Sequence, residues 1–139
     1  MNKTNFDLLF KNTVKGLKQK KSLLLHSCCA PCSSAVLERV VPHFDVTVFY
    51  YNPNITESEE YYVRLNEQKK FLSSAYGEEV KLIEGRYFSR EFFDSVKVMD
   101  VTVKESPSQR LESVCRLKKS AISACSDLLK TPVVAMIGV

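Results

Sequence analysis

Three short runs of apolar, β-branched or aromatic residues punctuate the first part of the chain: Leu23–Leu25, Val46–Tyr51 and Val80–Ile83. Stretches with helical spacing precede, separate and follow them. Phe6, Leu9, Phe10, Val14 and Leu17 fall within residues 2–20, and Ala35, Val36 and Val40 within Ser33–Val41. Tyr61, Tyr62, Leu65, Phe71 and Leu72 fall within Ser58–Tyr76, and Phe88, Phe92, Phe93 and Val96 within Tyr87–Val98. Apolar residues every three or four positions belong to helices that bury one face. The resulting order, α-β-α-β-α-β-α, leaves few folds open. Parallel strands need crossovers of this length, and the helices that make them cover the sheet. The expectation is therefore α/β: a three-layer open parallel sheet with helices on both faces, in one domain over residues 1–139.

The punctuation agrees. Gly16 and the run Lys18-Gln19-Lys20-Lys21 end the first helix, and Pro42 ends the second. Asn52-Pro53-Asn54 is a turn signal, and Gly77 suits a helix C-terminus. Ser33 or Ser34 is the expected cap of the second helix. Further on, Asp100–Gln109 is polar and weakly patterned, Cys115–Leu129 suits a helix, and Pro132–Val139 reads as the start of another strand.

Five cysteines stand at positions 28, 29, 32, 115 and 125. No run of about 18 apolar residues occurs, which argues against a transmembrane helix. Met1–Phe10 contains Asp7 and lacks the apolar centre of a secretory signal. The cytoplasm is the expected location, with no membrane partner. Thiols persist in a reducing compartment, where clustered cysteines bind metal or do redox chemistry more often than they form structural disulfides. The odd count points the same way. The net charge of +4 permits an anionic partner such as RNA without requiring one.

Three of the cysteines are concentrated in His26-Ser27-Cys28-Cys29-Ala30-Pro31-Cys32, where a strand gives way to a helix. Ligands of open α/β sheets bind at the carboxyl ends of strands. A helix N-terminus adds free N–H groups and the positive end of a dipole, which favour thiolates. Adjacent side chains diverge unless the backbone turns sharply, and Pro31 is expected to enforce that turn. Three thiolates in five residues can hold one face of a cluster, although four ligands are usual. A lone C-x-x-C is weak evidence, but C-C-x-P-C after a buried strand is much stronger. Two plainer readings stay open: three buried thiols packed as small apolar groups, or a thioredoxin-like Cys29/Cys32 dithiol that leaves Cys28 idle. His26 either orients a ligand or is a satisfied buried residue. His43 reads as surface.

The segment Leu23–Ser33 closely resembles the signature of QueH-type epoxyqueuosine reductases. Val48-Phe49-Tyr50-Tyr51-Asn52-Pro53-Asn54-Ile55 resembles that family's F-x-Y-N-P-N-I strand and turn. Glu60-Tyr61, Arg64 and Glu67 resemble its E-Y-x-x-R-x-x-E helix. Weaker similarity runs to about Val98. The resemblance implies a HUP-like fold and reduction of epoxyqueuosine to queuosine at the wobble position of tRNAs for Asp, Asn, His and Tyr. It further implies a [4Fe–4S] cluster with an additional iron nearby, and an electron donor whose identity the residues leave open. By position, Cys28, Cys29 and Cys32 carry over as metal ligands, and Asn52 and Asn54 as loop residues of the site. His26, Tyr61 and Arg64 join them as candidates for substrate contact, Arg64 toward tRNA phosphate. The plainer roles are a turn for the two asparagines, an exposed Arg–Glu pair for Arg64, and core packing rather than stacking on a base for Tyr50 and Tyr51.

The family's later E-G-G-x-R-C-x-x-C segment has no match in Glu105–Leu117, where Cys115 stands alone as the ligand the tail would supply. From about residue 100 the chain is expected to be divergent, as a truncated or frame-shifted version with an incomplete or inactive site would be. A rival is a PP-loop-like nucleotide-binding enzyme of tRNA modification, although its S-G-G-x-D-S phosphate loop is missing and cysteines occupy that turn. A non-catalytic metal-binding module is the third reading.

Overall fold

Leu23, Leu24 and Leu25 are all buried, as a strand covered on both faces requires. A computed structural model describes residues 4–97, 116, 119 and 134–137 of the chain. Its elements are α1 (Phe6–Lys15), β1 (Lys21–Ser27), α2 (Ala30–Val40), β2 (Phe44–Tyr50), α3 (Ser58–Tyr76), β3 (Lys81–Glu84), α4 (Ser89–Lys97) and β4 (Val134–Ile137). The strands form one parallel sheet in the order β3-β2-β1-β4. In register, Leu25 lies between Val48 and Met136.

Side-chain alternation divides the two faces. Leu23, Leu25, Val46 and Val48 pack with Leu37 and Val40 of α2 and Leu72 of α3 in one core. Phe49 points the other way, edge-on to His26. On that second side the Tyr51 hydroxyl reaches Glu91 of α4 at 2.5 Å. α4 is thus tied to the side opposite α2 and α3 just beyond the end of β2, and the α/β expectation holds.

The element bounds shift where local chemistry overrides periodicity. α1 is shorter than the 2–20 pattern, because the Asn5 side chain caps its start by accepting the Leu8 N–H and Gly16 closes its end. α2 begins at Ala30, ahead of the serines expected to cap it. Cys29, fully extended at φ −167° and ψ 161°, takes the cap position, and Pro31 sits in the first turn, where a missing N–H costs nothing. The Ser33 and Ser34 hydroxyls instead donate back to the Ala30 and Pro31 carbonyls. α3 matches its expected span, and Gly77 ends it at φ +58°. α4 starts two residues after Tyr87. The strand expected near the C-terminus is β4; the helix expected over Cys115–Leu129 and the polar stretch Asp100–Gln109 lie outside the described residues.

Chain order fixes where a site can form. β1, β2 and β3 step one way across the sheet, and β4 returns to the far side of β1. The direction reverses at β1, and the crevice at the carboxyl end of such a strand is where open sheets bind ligands.

Candidate metal centre at the carboxyl end of β1

β1 ends at Ser27, and the next five residues carry three thiols to that crevice. The Cys28 and Cys29 sulfurs lie 3.8 Å apart. All three Sγ atoms, with that of Cys32, lie within 4.8 Å of one another. The turn that converges two adjacent cysteines is the strand-to-helix junction at extended Cys29, not Pro31, which is already inside α2. Cys28 and Cys29 are half-buried and Cys32 is exposed. Beneath Cys28 and Cys32 a cavity of about 10 Å³ is walled by Leu25 and Val36. It holds at most one water, and of the three thiols only Cys32 is exposed.

The thiols are electrostatically unequal. Burial pushes Cys29 up, but hydrogen bonding from Cys32 and Cys28, with a smaller pull from the Arg64 charge, holds it below the ordinary thiol value. Cys32 is pushed up to about 12, chiefly because its thiol bonds to Cys29. α2 adds its N-terminal dipole at Cys29, and no acidic residue in the first turn opposes it.

Three soft donors suit zinc, copper(I) or iron–sulfur chemistry. Metal–sulfur bonds of about 2.3 Å around a tetrahedral ion put sulfurs roughly 3.8 Å apart, and the Cys28–Cys29 separation equals that value. The residues present therefore fit a thiolate-bound metal. They supply three ligands of the usual four, leaving one position for a further ligand or a substrate. Cys115, the expected fourth, lies outside the described residues.

The other expected site residues divide. Asn52 is buried, and its Nδ2 donates to the Ser27 carbonyl at 2.9 Å. Asn54 Oδ1 is buried without a hydrogen-bond partner. His26 is buried, with Nε2 2.8 Å from the Tyr51 carbonyl, which ties it to the strand beside it. Tyr61 is buried and stacked 3.9 Å from Tyr87. Arg64 pairs with Glu60 at 2.5 Å, not with Glu67, and its charge acts on Cys29. Tyr50 and Tyr51 are core residues.

Gln68 was not anticipated. It is fully buried on the stripe Tyr61-Leu65-Gln68-Leu72 and bonds to Ser27 and Ser33 on either side of the thiols. The signal was an amide at a core position of an otherwise apolar helix face.

Comparison with known proteins adds to this geometry. The family described as "Epoxyqueuosine reductase QueH" matches residues 23–131, which carries the similarity beyond Val98. A protein of that name from Staphylococcus epidermidis is 32% identical over 106 residues, covering 72% of this chain and 44% of its own length. The one from Streptococcus pyogenes serotype M1 is 30% identical over 128 residues, covering 88% of this chain and 50% of its own. The one from Histophilus somni is 40% identical over 79 residues, covering 56% and 31%. The chain thus spans half or less of the length of these relatives. No solved structure matches it.

Proposed function

The chain belongs to the QueH family of epoxyqueuosine reductases, and on that basis we propose that it acts in reducing epoxyqueuosine to queuosine in tRNA. The observation that carries this reading is the convergence of three thiols within 4.8 Å at the switch point of the sheet. Removing an epoxide oxygen to leave a double bond takes two electrons and two protons and releases water. The group this reading implies, a [4Fe–4S] cluster with an additional iron, would supply electron transfer and Lewis acidity at that point when bound. Cys28, Cys29 and Cys32 are the proposed metal ligands, with Cys115 as a candidate fourth. The strand order is in keeping with a HUP-like layout.

The rest of the site serves that centre. The α2 N-terminus and Arg64 favour negative charge beside Cys29. Asn52 holds the turn after β2 against the end of β1, and Asn54 follows it in that turn as a candidate loop residue of the site. Arg64, 40% exposed and paired with Glu60, is the candidate contact for a tRNA phosphate. The substrate would be a tRNA of the Asp, Asn, His or Tyr type, met in the cytoplasm, with electrons from a separate donor. Among the described residues no helix is long and apolar enough to cross a membrane.

Anaerobic reconstitution with iron and sulfide tests the reading. A brown protein that loses its visible absorbance on Cys28→Ala and turns over epoxyqueuosine-containing tRNA supports it. A colourless protein that binds ATP would favour nucleotide chemistry instead, and one that does neither a non-catalytic module.

A further inference from the structure

Ser27 immediately precedes the cysteine turn and Ser33 immediately follows it; both are buried, and both bond to Gln68 from α3. The Ser27 hydroxyl donates to Gln68 Oε1 at 2.9 Å. Gln68 Nε2 donates to Ser33 Oγ at 3.1 Å, and the Ser33 hydroxyl donates to the Ala30 carbonyl at 3.1 Å. One amide thus links the last residue of β1 to the first turn of α2, and the thiols lie between its two anchors. A buried amide costs free energy unless it is bonded, and an apolar residue would continue the Leu65–Leu72 stripe. What the amide adds over a leucine is direction: it fixes the end of β1 against the first turn of α2, on either side of the Cys28–Cys29 junction.

We infer that Gln68 is a positioning residue that sets the separation and direction of the Cys28, Cys29 and Cys32 sulfurs, and so the affinity and geometry of what they bind. As far as it concerns metal, this rests on the metal-centre reading above. Groups outside the ligand sphere commonly change metal affinity by about 10- to 100-fold.

Two probes on the full chain separate the inference from that reading. Phenylarsine oxide bridges two close thiols and involves no metal ion. Cobalt(II), titrated anaerobically, reports thiolate ligation through its charge-transfer and ligand-field bands. Gln68→Met is expected to weaken both by about tenfold or more and to shift the cobalt ligand-field bands. Leu72→Ala, one turn further along α3 and in the core, controls for lost stability and is expected to leave affinities within about twofold and the bands unmoved. Gln68→Met with unchanged arsenical capture would overturn the inference, whatever cobalt does. Capture lost equally in Leu72→Ala would also overturn it, by reducing Gln68 to a stability residue. Wild-type capture without cobalt binding would overturn the metal reading and leave Gln68 to be judged on the arsenical alone. If Gln68→Met does not fold, Ser33→Ala removes one anchor of the bridge and is judged by the same outcomes.

Discussion

Asn52 Nδ2 donates to the Ser27 carbonyl at 2.9 Å, which joins the turn after β2 to the residue where β1 hands over to the cysteines. The Asn52 carbonyl also accepts the Ile55 N–H at 3.1 Å, so one residue both closes its own turn and holds the neighbouring strand end. Both groups are buried. Asn52→Ala strands the Ser27 carbonyl, and a buried unsatisfied group costs about 1–3 kcal/mol. Urea unfolding should show that loss. Asn52→Asp should do worse, since a carboxylate would face a carbonyl oxygen. Wild-type stability in either variant would remove the tie from the account.

Gly85 is fixed by close approach. Its N–H bonds to the Tyr50 carbonyl at 2.8 Å, and a Cβ there would lie 2.8 Å from both Cβ and Cδ2 of Tyr51 and 3.1 Å from Phe49. Those rings are stacked 5.8 Å apart and cannot yield independently. Gly85→Ala is expected to cost about 1–3 kcal/mol through overpacking. Gly16→Ala, where the nearest atom would be 3.5 Å away and φ is ordinary at −81°, should stay within about 0.5 kcal/mol of wild type. Equal effects at the two glycines would contradict this difference in room.

These two sites show what was legible from sequence. Strand and helix order followed from apolar spacing, because a residue's period is set by the element it occupies. The cysteine motif marked the candidate site, because three thiols in five residues have few other uses. The start of α2 was missed because Cys29 caps it through an extended backbone, without the side-chain bond that propensity anticipates. Gln68 was missed because its partners lie 41 and 35 residues away, at a separation that no local pattern records. Asn52 was picked out by its motif, but its bond to Ser27 depends on parallel pairing of β1 and β2, which only the folded sheet specifies.

The Tyr51–Glu91 bond that attaches α4 carries an acid dependence. Burial pushes the Glu91 carboxyl up, but the Tyr51 hydroxyl and Arg86 outweigh it and hold it below the usual glutamate range. A depressed carboxylate stabilises the fold above its unfolded pKa, and that contribution disappears as pH falls through the lower folded value. Stability should therefore be full near neutrality and decline below the ordinary glutamate value of 4.5. Glu91→Gln should flatten the decline over that window, and Tyr51→Phe should reduce it. A pH profile of unfolding identical in wild type and Glu91→Gln would exclude the bond as its source.

The inequality of the thiols can be measured without any metal. Cys29 is held below the ordinary thiol value although burial opposes this, because Cys32 and Cys28 bond to its sulfur. Cys32, pushed up to about 12, gives its proton to that bond and stays protonated near neutrality. The thiolate is the nucleophile, so iodoacetamide should modify Cys29 ahead of Cys32, even though Cys32 is the more exposed of the two. Exposure alone predicts the opposite order, which makes the comparison decisive. The Cys29 rate should persist to lower pH than that of a free thiol. Cys32→Ala removes its principal favourable hydrogen bond and should move the Cys29 profile toward higher pH, while Arg64→Ala should move it the same way by less, its charge being the smallest of the contributions. Peptide mapping by mass spectrometry after brief alkylation reads both positions at once. Faster modification of Cys32 than of Cys29 in the unliganded wild-type chain would show that the sulfur hydrogen bonds do not set the order.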